Sequence, residues 1–217
     1  MITGFDVRAG FPFDVVARVS EIDPSVGSAF VEEREMMRRA VPSRVAEFFT
    51  SRALARDALA EWGQPAVAIG VGGHREPLWP NGFFGSITHS AGRCAVVVAR
   101  RSVGLDIEGE DSDLSVEHDL LLAGGERSVS LLATFSVKEA VFKACFPIDG
   151  QWREFNEVRL DRGSENRDPD DRESLDGESD EYRIGWSATH LPGELRARTR
   201  RVGGYLLSTA WLRHGNG

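Results

Sequence analysis

From Pro42 to Trp62 the apolar residues recur at helical spacing. Val45, Phe48, Phe49, Ala55, Leu59 and Trp62 share one side, and Gly63 follows as a stop. This predicts a helix over Pro42–Trp62. After VAIGV and a Gly- and Pro-rich stretch, GGHREPLWPNGFFG, the period shortens. SITHS, CAVVVA and VGLDIE read as short strands separated by AGR and RRS, which predicts an antiparallel meander. A second helical stretch follows Gly124 and Gly125 and runs to about Cys145, with Leu131, Phe135, Phe142 and Phe146 on one arc. WREFNEVRL supplies a strand. YRIGWSA, ELRARTR and GYLLSTAWL close the chain as strands, the last two turning at Gly203-Gly204. Each half therefore holds a long helix and several strands, and the predicted class is α+β.

Composition narrows the setting. The chain has 217 residues, of which 41% are hydrophobic and 28% charged, enough for a sizeable core without staples. Its two cysteines, Cys94 and Cys145, form no CxxC, which argues against a disulfide framework or a zinc knuckle and fits a reducing compartment. No apolar run approaches the roughly 20 residues of a membrane span, and the N-terminus lacks the order of a signal peptide. The expectation is a cytoplasmic protein. The net charge of -8 is uneven: Asp161 to Glu181 carries ten acids against three arginines and leaves the rest near neutral. That acidic segment, with almost no apolar residues, reads as a solvated loop.

Chemistry concentrates in two places. In VGLDIEGED the alternation of a strand turns Asp106 and Glu108 to one face and Leu105 and Ile107 to the other. Paired carboxylates repel unless a cation lies between them, and oxygen ligands suit Mg²⁺ better than zinc. By itself the pair is better explained by the wet face of a half-buried strand. The second place is FSVKEAVFKA. The chain has 26 basic residues, and its only lysines, Lys138 and Lys143, both fall here. Glu139 lies inside the apolar arc with a lysine on either side, where a carboxylate needs a partner or a metal. A Glu139–Lys143 pair at i,i+4 would explain one lysine, not both. With Asp106 and Glu108, Glu139 completes a three-carboxylate Mg²⁺ candidate.

Further candidates are cationic. Arg52 and Arg56 are spaced i,i+4 within the apolar arc of the first helix. They are read either as stems covering core or as guanidinium forks open to phosphate. His89 in GSITHS and Arg75 in GGHREPLWPNG add a histidine and a loop arginine. His74, His118, His190 and His214 show no metal-type spacing. Oxygen ligands, two lysines, arginines and a histidine together suit a polyphosphate, handled by positioning and charge neutralisation.

VGLDIE followed some thirty residues later by FSVKEAVFKA resembles the paired signature of the phosphopantetheinyl transferase superfamily, at every signature position. GSITHS, REPLWP and FFTSRALARDAL further resemble the branch typified by enterobactin synthase component D. The resemblance runs from about Pro42 to Phe146. It implies two similar α/β subdomains in a pseudo-twofold arrangement, each a long helix on a small antiparallel sheet, divided as residues 1–102 (coenzyme A nucleotide side) and 103–217 (metal and catalytic helix, with acidic loop 161–181). It implies transfer of 4'-phosphopantetheine from coenzyme A to a serine of an apo acyl or peptidyl carrier protein, releasing adenosine 3',5'-bisphosphate. Asp106, Glu108 and Glu139 would hold Mg²⁺, and Glu139 would act as base, directly or through a water. Lys138 and Lys143 would contact the pyrophosphate, Arg52 and His89 the 3'-phosphate side, and Arg56 and Arg75 the nucleotide.

Rival readings are a Mg²⁺-dependent phosphohydrolase or nuclease on the same carboxylates, and a non-catalytic coenzyme A- or carrier-binding module. The lack of a long basic surface weighs against nucleic acid. The expected partners are coenzyme A and an acidic carrier protein, with Arg34, Arg38 and Arg39 as docking candidates, no membrane and a monomeric chain.

Overall fold

The computed structural model describes residues 6–114, 118–126, 128, 130–162, 179–185, 191 and 193–213. In chain order the elements are β1 (Val16–Glu21), α1 (Val31–Met37), α2 (Pro42–Glu61), β2 (Gly70–Val71), β3 (Pro77–Leu78), β4 (Phe84–Ser90), β5 (Arg93–Ala99), β6 (Val103–Gly109), α3 (His118–Leu121), α4 (Leu131–Asp149), β7 (Arg159–Arg162), β8 (Ser179–Gly185), β9 (Glu194–Val202) and β10 (Tyr205–Arg213). They build one sheet in the order β1-β5-β4, a second in the order β6-β10-β9-β8-β7, and a short β2-β3 ribbon. All the pairings are antiparallel. Helix and antiparallel sheet in these proportions are α+β, as the residue pattern predicts. Among the described residues no helix is long and apolar enough to cross a membrane.

The core is layered by strand alternation. β5 reads as a continuous apolar run because both its faces are covered. Cys94, Val96 and Val98 pack with Ala55, Ala58 and Leu59 of α2. Ala95, Val97 and Ala99 pack with Val103, Leu105 and Ile107 of β6 and with Leu207 and Trp211 of β10. The far side of the second sheet, including Leu195, Ala197, Ala210 and Leu212, meets Val137, Ala140, Val141 and Ala144 of α4.

Four sequence expectations need correction. The meander breaks after its first hairpin: β4 pairs with β5, but β6 leaves that sheet and pairs with β10, the last strand. The face of α4 that enters the core is the small-residue face, Ala133, Val137, Ala140, Val141 and Ala144, while Leu131 is exposed and Phe135 and Phe142 are only half-buried. α4 also runs on to Asp149, ending at Gly150 with φ 64, where glycine takes the left-handed conformation cheaply. The WREFNEVRL strand shortens to β7 behind a 3₁₀ turn at Phe155–Glu157. Most of the acidic segment 161–181 lies outside the described residues.

Small residues face inward on α4 because β6 comes against it almost backbone to backbone. A Cβ at Gly104 would lie 1.8 Å from the Ala140 carbonyl oxygen and 2.9 Å from the Ala144 amide nitrogen. The buried Ser102 hydroxyl donates to the Ala144 carbonyl at the same contact. No flexible side-chain end is available to yield, so Gly104→Ala must push strand from helix. We expect it to cost more than the roughly 1–3 kcal/mol typical of overpacking, read as a lowered denaturation midpoint, whereas Gly73→Ala, with nothing within 4 Å of its Cβ, should leave the midpoint near wild type.

Candidate active site

The close approach at Gly104 sets Asp106, one pleat further along the same face of β6, beside the next turn of α4. The Asp106 carboxylate is 3% exposed. Its Oδ1 accepts from the Thr88 hydroxyl at 3.0 Å and from Lys143 Nζ at 2.6 Å. Its Oδ2 is buried without a hydrogen-bond partner among the described residues. Lys143 Nζ also lies 3.6 Å from Glu139 Oε2. Glu108, two residues along β6, accepts from the Ser90 hydroxyl at 2.8 Å. The structure thus brings Asp106, Glu139 and Lys143 together, with Glu108 adjacent. Among the described residues no three His, Cys, Asp or Glu side chains come close enough together to form a ready-made metal cage.

Burial dominates the electrostatics here. It pushes the Glu139 carboxyl above the usual glutamate range; Asp106 adds to this and Lys143 opposes it. Glu108 is raised too, first by burial and further by Asp106 and Glu139, against the Ser90 hydrogen bond and Lys143. Burial alone would lower Lys143, but Asp106 and Glu139 outweigh it and raise its pKa. The lysine is therefore a fixed cation among carboxylates.

Lys138 does not join this cluster. It is 1% exposed, and its ammonium donates to the Leu121 carbonyl at 2.8 Å, the Glu126 carboxylate at 2.6 Å and the Phe155 carbonyl at 3.1 Å. Glu126 in turn accepts from the Ala123 and Leu160 amides. One residue from Glu139 on a helix is a turn of about 100° away, and that turn carries Lys138 into an interior of its own.

Arg52 and Arg56, expected as forks open to phosphate, are also engaged inside the protein. Arg52 donates through Nε to the Ile69 carbonyl at 3.0 Å and lies over the Phe48 ring at 4.3 Å. Burial pushes its pKa down to about 10. Arg56 donates to the fully buried Glu33 at 2.5 Å and sits over Phe30. Glu33 also accepts from the Ser28 hydroxyl and the Ile69 amide. These contacts pin α1 and the Ile69 segment to α2.

His89 projects from β4 toward α2. There Arg44 Nη1 lies 3.1 Å from His89 Nε2, and Glu47 lies 3.6 Å from the same nitrogen. Burial lowers the His89 pKa, Glu47 opposes this, and Arg44 and Lys143 lower it further. Arg44 escapes a sequence reading centred on Arg52 and Arg56, although it continues their four-residue spacing two turns earlier with Phe48 between. Arg75 is exposed at φ 71, in the turn joining β2 to β3. Next to it His74 stacks on Trp152 and meets Phe146 edge-on.

Two outcomes follow. Lys138→Met leaves Glu126 buried without its cation and should cost about 3–5 kcal/mol; Lys138→Arg should fare little better, because a planar fork cannot serve three acceptors gathered around one nitrogen. Denaturant melts decide between this and a lysine whose removal leaves stability unchanged. For Glu139, a raised native carboxyl means that the folded state holds protons the unfolded chain has released. Stability from this group is lost as pH rises from about 4.3 through the native value. In metal-free buffer Glu139→Gln should therefore melt above wild type at neutral pH, with the gain shrinking as pH falls into the ordinary glutamate range.

The family model of the 4'-phosphopantetheinyl transferase N-terminal domain matches residues 32–99. The chain is 35% identical over 160 residues to 4'-phosphopantetheinyl transferase PptT of Mycobacterium tuberculosis, covering 64% of this chain and 67% of that one. It is 36% identical over 149 residues to 4'-phosphopantetheinyl transferase Npt of Nocardia iowensis, covering 59% and 64%. It is 35% identical over 127 residues to enterobactin synthase component D of Salmonella typhi, covering 53% and 54%. The chain thus spans about two thirds of the length of PptT and Npt and about half that of the enterobactin protein. With 35% identity over 67% of the PptT chain, and the N-terminal family model matching besides, the chain belongs to the 4'-phosphopantetheinyl transferase superfamily.

Proposed function

We propose that the protein transfers 4'-phosphopantetheine from coenzyme A to a serine hydroxyl of an apo acyl or peptidyl carrier protein, releasing adenosine 3',5'-bisphosphate. The observation that carries the reading is the Asp106 carboxylate. One oxygen is held by Thr88 and Lys143, and the other is buried with no partner among the described residues. A buried, unpaired carboxylate oxygen is costly, and a cation bound there removes the cost.

Mg²⁺ suits this donor set. It prefers oxygen, keeps several waters and needs only one or two carboxylates besides substrate phosphate. A preformed cage of three acids is therefore not required. Asp106, Glu108 and Glu139 would hold it, and bound there it would supply charge neutralisation for the pyrophosphate. Lys143, already poised between Asp106 and Glu139, would contact the phosphate. Glu139, raised by burial, would accept the proton as the serine oxygen attacks the phosphorus on the pantetheine side. The bond from that phosphorus to the bridging oxygen then breaks, and the bisphosphate carries the oxygen away.

For the nucleotide side we assign Arg44 and His89, which meet on one surface, with Arg75 on the exposed turn beyond. Lys138, whose ammonium meets three protein acceptors, Arg52, which donates to the Ile69 carbonyl, and Arg56, which is paired with the buried Glu33, are assigned to the scaffold. Each half offers a long helix on an antiparallel sheet, α2 on β1-β5-β4 and α4 on the second sheet. That supports a pseudo-twofold pair of subdomains, residues 1–102 and 103–217, with coenzyme A between them.

The test mixes the protein with coenzyme A, Mg²⁺ and an apo carrier protein and reads the carrier by mass spectrometry. One phosphopantetheine added to a serine is the expected result. Glu139→Gln should reduce transfer by at least about a hundredfold, the scale of a general base, while coenzyme A binding changes far less. Near-normal turnover in Glu139→Gln would remove the base assignment. Phosphate release without any carrier would favour a phosphohydrolase instead.

A further inference from the structure

The two sheets meet along β4 and β6, each the edge strand of its own sheet. An edge strand leaves alternate backbone groups without ladder partners. Here the partners are side chains. Ser86, Thr88 and Ser90 stand on one face of β4, and their hydroxyls accept from the β6 amides of Leu105, Ile107 and Gly109 at 3.0, 3.2 and 3.3 Å. Three hydroxyls at every second position thus replace a strand's worth of backbone carbonyls along this seam.

The hydroxyl protons go to different places. Ser86 returns its proton to the Leu105 carbonyl at 3.1 Å. Thr88 and Ser90 send theirs to carboxylates, Asp106 Oδ1 at 3.0 Å and Glu108 Oε2 at 2.8 Å. A hydroxyl that accepts from a fixed amide has its remaining donor direction constrained. Thr88 is further limited by its branched side chain and is 4% exposed. Each carboxylate is therefore anchored through one oxygen. For Asp106 the anchored oxygen is the one Lys143 also holds, and the buried Oδ2 is left free.

We infer that Thr88 and Ser90 are positioning residues for cation binding: the seam that joins the two sheets also fixes the rotamers of Asp106 and Glu108, so that one oxygen of each is presented to a divalent cation. This rests on the metal assignment proposed above. The hydroxyls touch neither substrate nor metal; they act through the carboxylates. Ser86 supplies the internal control, because it makes the same seam bond without touching an acid.

The experiment titrates Mn²⁺ into the full chain with coenzyme A present and reads the free ion by electron paramagnetic resonance, alongside a thermal melt of each variant. Thr88→Val and Ser90→Ala should each weaken Mn²⁺ binding roughly tenfold or more, the scale seen when a ligand's outer partner is removed. Thr88→Ser, which restores the hydroxyl, should stay within about twofold of wild type on that scale. Ser86→Ala should lower the melting temperature but leave Mn²⁺ affinity near wild type. Equal weakening in Ser86→Ala would reduce the ladder to a structural seam and overturn the inference. So would unchanged Mn²⁺ affinity in Ser90→Ala, which sits at the half-buried end of the strand and keeps the test decisive if Thr88→Val fails to fold. Loss of Mn²⁺ uptake in wild type itself would overturn the metal assignment as well, so the two failures are distinguishable.

Discussion

Strand β6 lies so close to helix α4 that a Cβ at position 104 would come within 1.8 Å of the Ala140 carbonyl oxygen. Several features depend on this contact. It requires glycine on the strand and small residues on the helix, so Ala140, Val141 and Ala144 face inward while Phe135 and Phe142 stay half-buried. It keeps β6 with α4 and β10 instead of continuing the β4-β5 hairpin. Two residues along, it brings Asp106 within 2.6 Å of Lys143, although 37 residues separate them in the chain.

Around that contact the buried charges fall into two kinds. Lys138 with Glu126, Arg56 with Glu33, and Arg52 with the Ile69 carbonyl are closed groups whose donors meet acceptors inside the protein. Such pairs contribute little net stability, but breaking one is expensive; they secure α1, α3 and the loops against the two long helices. Asp106 differs. One of its oxygens is anchored twice and the other not at all, so the group is incomplete in a way the closed pairs are not. The chain's only two lysines divide along the same line. Lys138 directs an ammonium's three donors to three acceptors around one nitrogen, and Lys143 places a compact charge between two carboxylates. Neither geometry suits arginine's planar fork.

Periodicity carried much of the fold. The long helices, β4, β6 and β9 are legible as 3.6- or two-residue patterns, and β5 and β10 as short apolar runs. The inner face of α4 was not, because a helical wheel draws attention to its large residues, and only the approach at Gly104 makes small ones decisive. The break between β5 and β6 was hidden behind a short RRS link that suits a hairpin as well as a change of sheet. In the candidate site, Asp106, Glu108, Glu139 and Lys143 could be grouped from alternation and helical spacing. The wheel put Arg52 and Arg56 inside the apolar arc but left open whether they cover core or wait for phosphate. Their acceptors were not visible, since Glu33, Ile69 and Gly70 lie in other segments. The partners of Lys138 were hidden for the same reason: Glu126 and the Phe155 carbonyl belong to segments with no periodic signal. The alternating hydroxyls of SITHS were in plain view, but their use depends on which strand edge lies opposite.

The central claim is that the Asp106–Glu139–Lys143 group is a cation site for a pyrophosphate. It is tested most directly by a crystal structure of the protein grown with coenzyme A and Mn²⁺ and measured at the manganese absorption edge. The account predicts an anomalous peak in contact with Asp106 Oδ2 and a carboxylate oxygen of Glu139 or Glu108, with the Lys143 ammonium turned from Asp106 toward a phosphate oxygen. Bound coenzyme A with its pyrophosphate away from these carboxylates, or a peak there that leaves Asp106 Oδ2 without a ligand, would contradict it.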